Sequence, residues 1–270
     1  MPRWAFRGHA DINWSLETSF ERAARAGHVG PDIRRNLEWW ILRQFQRRAH
    51  IVVPSPPGGA ATLEWLALIQ HYGGPTRLLD FTRSFYAAAF FAIEFATRDA
   101  AIWAVDLDTI DRSHQMMFDR KQTLDVNNLE YIKRIEELLA QRGAIAQPGV
   151  IPVEPDQLNE RMSIQQGVFL FPTAIELTFI ENLAAALEID AKQLSEAGAQ
   201  QMTAPSFIQN VREYDSPRVV KIILPRTIHD EAMRDLISMN MTANTLFPGL
   251  DGFARSLHRH LRYWRSASAG

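Results

Sequence analysis

Gln70-His71-Tyr72-Gly73-Gly74-Pro75-Thr76-Arg77-Leu78-Leu79-Asp80-Phe81-Thr82-Arg83-Ser84 runs straight into the apolar stretch Phe85 to Thr97. A helix over Glu64 to His71 must stop at Gly73-Gly74-Pro75, because glycine accepts a left-handed cap and proline cannot continue a helix. Thr76 to Phe81 then reads as a short strand. Phe85 to Thr97 is alanine- and aromatic-rich and apolar almost all round, which places it as a helix inside the core. Helix, strand and buried helix in succession indicate mixed α and β packing. The many polar groups between Gln70 and Ser84 must lie at the edge of that core, where each needs a partner.

Upstream, Trp4-Ala-Phe-Arg-Gly8 reads as a strand ending in a polar turn through Asp11 and Asn13. Ile33, Leu37, Ile41 and Phe45 recur every four residues, so Ile33 to His50 is an amphipathic helix. Its other face carries Arg34, Arg35, Arg43, Arg47 and Arg48. Pro54 to Gly59 breaks that pattern as a loop. Downstream, Ala101 to Asp106, Gly167 to Phe171 and Val219 to Leu224 read as strands. Asp125 to Arg142 reads as a charged helix on an inserted segment around residues 108–160, and Ile228 to Met239 and Gly252 to Trp264 close the chain as two amphipathic helices. No glycine-rich phosphate loop follows a strand and no βαβ rhythm appears, which argues against Rossmann and P-loop architectures. The expectation is one α+β domain over residues 1–270.

Composition narrows the chemistry. With 270 residues, 46% hydrophobic, 22% charged and a formal net charge of -2, the chain falls in the globular range and has no global pull toward polyanions. It contains no cysteine, so disulfides, thiolate zinc sites and cysteine nucleophiles are excluded. The sequence shows neither a signal-peptide pattern nor an apolar run near the ~18 residues of a membrane span, and a cytoplasmic location is expected. His258 and His260 stand two apart, on different faces of a helix, so no metal site is expected.

Taken singly, the polar residues have architectural readings. Arg7 is a candidate to pair with Asp11 or Asp80, Asp80 to accept from turn amides or Thr82, and His71 to sit as a satisfied edge residue. The helix arginines read as a solvated face, or as a surface for RNA or DNA phosphates beside a cleft.

Together, however, the motifs resemble a family. Phe6-Arg7-Gly8 with Trp14-Ser-Leu16, the block from Gln70 to Ser84 with Ala87 to Ala92, Gln165-Gln166-Gly167-Val-Phe169, and Thr245-Leu-Phe-Pro248-Gly-Leu-Asp-Gly252 are similar to the blocks of the FRG domain. That family is itself similar to a remote branch of the ADP-ribosyltransferase superfamily. The resemblance implies a split β-sheet core with flanking and inserted helices, and NAD as substrate. It also implies transfer of ADP-ribose to a protein or nucleic acid, in a toxin or antiphage effector with an antitoxin or other defence partner.

On that resemblance Arg7, His71, Thr82 and Gln166 are the catalytic candidates. Phe6, Arg7, Gly8, Thr76, Asp80 and Ser84 are the candidates for holding NAD. An arginine fork suits a pyrophosphate, Gly8 would admit the nicotinamide amide, and Thr82 and Ser84 would position a ribose. Gln166, just before Gly167, is preferred to Gln165 for the ribose 2′-hydroxyl. Glycosidic cleavage passes through an oxocarbenium-like state that a carboxylate would stabilise, and Glu160 and Glu176 are the nearest carboxylates in sequence. Two other readings stand beside this one: a catalytically silent module binding NAD or a partner protein, and an NAD glycohydrolase.

Overall fold

The computed structural model describes residues 4–117, 133, 135–137, 147–155, 160–196, 200–202 and 218–267. In chain order its elements are β1 (Trp4–His9), α1 (Ser19–Ala26), α2 (Pro31–Val52), α3 (Thr62–His71), β2 (Leu79–Thr82), α4 (Phe85–Ile93), β3 (Ala100–Asp106) and α5 (Leu107–Met117). There follow β4 (Val150–Val153), α6 (Glu160–Ile164), β5 (Gly167–Pro172), α7 (Phe179–Leu187), α8 (Ala191–Glu196) and β6 (Gln200–Met202). The last elements are β7 (Val219–Leu224), α9 (His229–Ser238), α10 (Ala243–Leu246) and α11 (Leu250–Ala267). The strands form one sheet in the order β4-β5-β2-β1-β3-β7-β6. All neighbours are antiparallel except β6 and β7. The fold is therefore α+β, and no helix among the described residues is long and apolar enough to cross a membrane.

The two edges of β1 differ. Toward β3 it pairs at every position from Trp4↔Asp106 to His9↔Ala101. Toward β2 it pairs at Phe6↔Thr82 alone. The sheet is thus pinched at one register pair and opens into a wedge between the end of β1 and the start of β2.

Burial on both faces holds this shape. Strand side chains alternate between faces, so Phe6, Ile102, Ala104, Val220 and Ile222 pack with α4 and α9, while Ala5, Phe81, Trp103, Val105, Val168 and Leu170 pack with α7. α3 lays Leu63 and Leu66 over Phe169, Phe171, Ile151 and Val153 of the outer strands. α4 crosses β1 so closely that a Cβ on Gly8 would stand 2.1 Å from the Ala88 carbonyl oxygen. Helix–strand packing by itself therefore requires glycine at position 8.

Several sequence expectations change in detail. The strand begins at Leu79 rather than Thr76, because Arg77 turns instead to the buried Glu38 of α2, with Nε 2.6 Å from Oε1 and Nη2 against Oε2. The span around 108–160, expected as a helical insertion, contributes the edge strand β4. Its Pro152 is tolerated there because an edge position need not donate to a ladder. Apart from residues 133 and 135–137, the helix expected over Asp125 to Arg142 lies outside the described residues. Nor are the α2 arginines uniformly solvated: Arg35 pairs with Glu176 at 2.9 Å and Arg34 donates to the Glu176 carbonyl at 3.3 Å. Those bonds occupy Glu176 at α2.

Candidate functional site

The wedge is the mouth of a cavity of about 300 Å³. β1 contributes Phe6, Arg7 and Gly8, β2 Asp80 to Thr82, and β5 Phe169. α3 adds Ala67, Gln70 and His71, α4 adds Phe91, and α6 with the turn after it adds Arg161, Met162 and Gln165. Phe247 and Arg255 close it from the C-terminal segment. The concave shape, aromatic walls and few converging polar groups are those of a small-molecule site.

Arg7 stands at its centre. Its Nη1 donates to the Asp80 carbonyl at 2.6 Å and lies 3.9 Å from the Asp80 carboxylate, so the guanidinium bridges the gap where strand pairing fails. Burial holds the Arg7 pKa below its ordinary value, opposed by the charge of Asp80, yet arginine remains a cation. Its Nε donates to Nε2 of His9 at 3.2 Å, and His9 Nδ1 lies 3.2 Å from the Trp14 carbonyl. Burial first, and then the charge of Arg7, push the His9 pKa down to about 3. The imidazole is accordingly neutral, with Nδ1–H donating to Trp14 and Nε2 left to accept from Arg7. His9 thereby fixes the orientation of the fork.

Two further arginines share the cleft. Arg161 stacks 4.5 Å and Arg255 4.1 Å from the ring centre of Phe247. Arg255 is held by Glu94 through Nε at 2.8 and 2.9 Å. Arg161 has no carboxylate at ion-pair distance among the described residues, and burial lowers its pKa. Of the lining residues only Asp80 is acidic. Three guanidinium groups, one of them paired with Glu94 outside the lining, and one carboxylate make the cavity locally cationic in a chain of formal net charge -2.

The structure brings Phe6, Arg7, Gly8, His71, Asp80 and Thr82 of the sequence-derived set to this cavity, although residues 6–8 and 71–82 are far apart in the chain. It redistributes their duties. The Thr82 hydroxyl donates to the Gln165 carbonyl at 2.6 Å and accepts from Ser84 N at 2.9 Å, while Ser84 Oγ caps α4 by accepting from Ala87 N at 3.2 Å. Both hydroxyls take part in building the strand-to-helix turn, and Ser84 does not line the cavity. Thr76 is fully buried between Ser19 and the side chain of Gln70, also away from the cavity. Asp80, expected as a buried acceptor, instead exposes 64% of its side chain toward the cleft.

The choice between the two glutamines also reverses on geometry. Gln166 is exposed with a left-handed φ of 49°, and its carbonyl accepts from Arg83 N at 2.9 Å. Gln165 lines the cavity, its Nε2 donating to the Leu246 carbonyl at 2.9 Å. That leaves Oε1 as its acceptor for a ligand. Glu160 is exposed and does not line the cavity. No metal-binding cluster exists among the described residues. The side chain of His260 lies outside them, and His258 is exposed against Phe95.

His9, Arg161, Phe247 and Arg255 escaped the sequence reading. Two carried a signal: His9 follows Arg7 by two residues on one strand face, and Arg161 precedes Gln165 by four on a helical turn. Phe247 and Arg255 reach the cavity only through the packing of the C-terminal segment.

Comparison with known proteins agrees with the first half of this picture. A family model described as FRG domain matches residues 2–101. The match includes Arg7, His71, Asp80 and Thr82, whereas Arg161, Gln165, Phe247 and Arg255 lie beyond it. No curated protein and no solved structure matches the chain.

Proposed function

We propose that the wedge of this FRG-domain chain binds NAD and transfers its ADP-ribose to a macromolecule. The observation that carries the reading is the convergence of Arg7, Asp80 and Gln165 where the sheet splits, within a cavity whose other charges, Arg161 and Arg255, are cationic. A pyrophosphate needs such a set, because guanidinium forks give bidentate, charge-assisted hydrogen bonds and the low dielectric strengthens them. Phe6, Phe91 and Phe247 offer apolar surface to rings.

The chemistry follows from the charges. The bond between ribose C1′ and the nicotinamide nitrogen breaks, its electron pair neutralises the pyridinium, and positive charge gathers on the ribose. Asp80, the carboxylate among the lining residues, stabilises that cation. Gln165 Oε1 accepts from a ribose hydroxyl. The acceptor then bonds to C1′ and releases its proton to solvent. An antitoxin or defence-system partner belongs to the same proposal. A silent NAD-binding module is the second reading, supported by the absence of any carboxylate at residues 165 and 166.

The test is incubation of purified protein with NAD labelled in the adenylate half, alone and with protein, RNA or DNA. Label entering a macromolecule is expected; label only in free ADP-ribose marks a glycohydrolase, and unchanged NAD marks a silent module. Arg7→Ala should weaken NAD binding in calorimetry by on the order of 100-fold, about 3 kcal/mol, and lysine should not rescue it. Unaltered affinity in the folded variant overturns the assignment.

A further inference from the structure

A second concavity lies beside the cleft, at the end of α2. It encloses about 700 Å³ and is lined by Trp40, Gln44, Phe45, Arg48, Val52 and Tyr72 among others. Trp40 and Tyr72 are large aromatics left 59% and 63% exposed, so neither serves the core. Tyr72 is held in place: its ring lies 6.3 Å from Phe45, which in turn meets Trp65 at 6.4 Å. On its other side Tyr72 touches His71, ring centres 5.2 Å apart, and His71 lines the NAD cavity. The aromatic surface is thus continuous with the proposed active site.

The charge around it is of one sign. Arg43, Arg47, Arg48 and His50 are exposed on the last turns of α2, and from Trp39 to Leu63 the sequence contains no Asp or Glu. Nearby acidic groups are engaged elsewhere, Glu38 with Arg77 and Glu176 with Arg35. A chain with net charge -2 has therefore gathered cations around exposed ring faces.

We infer that this groove docks single-stranded nucleic acid, with unpaired bases stacked on Trp40 and Tyr72 and phosphates held by Arg47 and Arg48. Rings take any base by its π-face, and arginines track a backbone, which is how strands without secondary structure are bound. A duplex hides those faces within its stack. A strand leaving Tyr72 reaches His71 and presents its next base to the cleft, where a base N–H bonds to C1′ and loses its proton as nicotinamide departs. The inference rests on the proposed function, to which it adds nucleic acid as the class of acceptor.

The test is anisotropy of labelled single-stranded DNA and RNA oligonucleotides of ~12 nucleotides with the full chain, without NAD, at salt from about 50 to 200 mM. An acidic peptide and a duplex serve as competitors. Single strands should bind and outcompete both. Trp40→Ala and Tyr72→Ala should each weaken binding about tenfold, and Arg47→Ala with Arg48→Ala should lower the salt slope by about 1.4. Trp40→Ala should retain NAD binding in calorimetry, and it decides the matter if Tyr72→Ala does not fold. No binding by folded protein, full binding by Trp40→Ala, or preference for the acidic peptide overturns the inference. NAD calorimetry on the same sample separates the two ideas: NAD bound without oligonucleotide removes the groove alone, and oligonucleotide bound without NAD removes the reading of the cleft alone.

Discussion

β1 is sealed along one edge and open along the other, and the residues on its two sides work under different rules. Toward β3 every residue is paired and α4 presses so closely that Gly8 has no room for a methyl group. Toward β2 one pair remains, and Arg7, oriented by the neutral imidazole of His9 on its own strand, spans the gap to the Asp80 carbonyl. Arg77 makes the contrast sharper. It belongs to the same motif block as Asp80, yet it is buried against the Glu38 carboxylate and does not line the cleft. Buried with its fork filled by a carboxylate, Arg77 holds the fold. Arg7, whose fork is only partly filled, remains able to take a ligand.

The largest expected effect lies on the closed side. Arg77→Ala should cost about 3–5 kcal/mol in urea unfolding, since it leaves Glu38 charged and buried without a partner. A loss below 1 kcal/mol breaks the distinction between Arg77 and Arg7. Gly8→Ala should cost about 3 kcal/mol, because its Cβ would meet backbone atoms of Ala88 and Ala92 at 2.1 and 2.6 Å. Thermal unfolding near the parent temperature would mean that α4 shifts without penalty.

On the open side the effects should appear in activity. Gln165→Leu should lower turnover by about 2–3 kcal/mol in transition-state stabilisation, with Gln166→Leu unchanged within a factor of about three. The reverse pattern in steady-state rates would return the role to Gln166. The smallest effect concerns His9. Its folded pKa of about 3 lies below the ~6.5 of an unfolded histidine, so the unfolded state binds more protons between those values. Stability is then present above pH ~6.5 and lost as pH falls toward 3, by about 2 kcal/mol between pH 7 and pH 5. Parallel denaturation curves should show this slope reduced in His9→Gln, and an identical slope in both proteins would remove His9 from the account.

Some elements were legible because a single physical requirement dictated them. The all-round apolar stretch after Ser84 had to be buried, and Val219–Leu224 had the β-branched run of an inner strand, found at those bounds. Thr18-x-x-Glu21 and Thr178-x-x-Glu181 are capping boxes at the starts of α1 and α7, a signal present in the sequence that the reading passed over. β4 was harder, being a short edge strand whose Pro152 speaks against a strand at all.

By itself the sequence determined the residue inventory of this protein: no thiol, a mixed α and β order, an arginine on the first strand, and a polar block leading into a buried helix. Only the tertiary structure decided which polar groups remained available. Thr82 and Ser84 were spent on a turn, Thr76 on a buried contact and Gln166 on a left-handed junction, while Gln165, Arg161 and Arg255 converged on Arg7. The reason is that a side chain's chemistry is written locally, but whether its hydrogen bonds are already satisfied depends on neighbours brought from elsewhere in the chain.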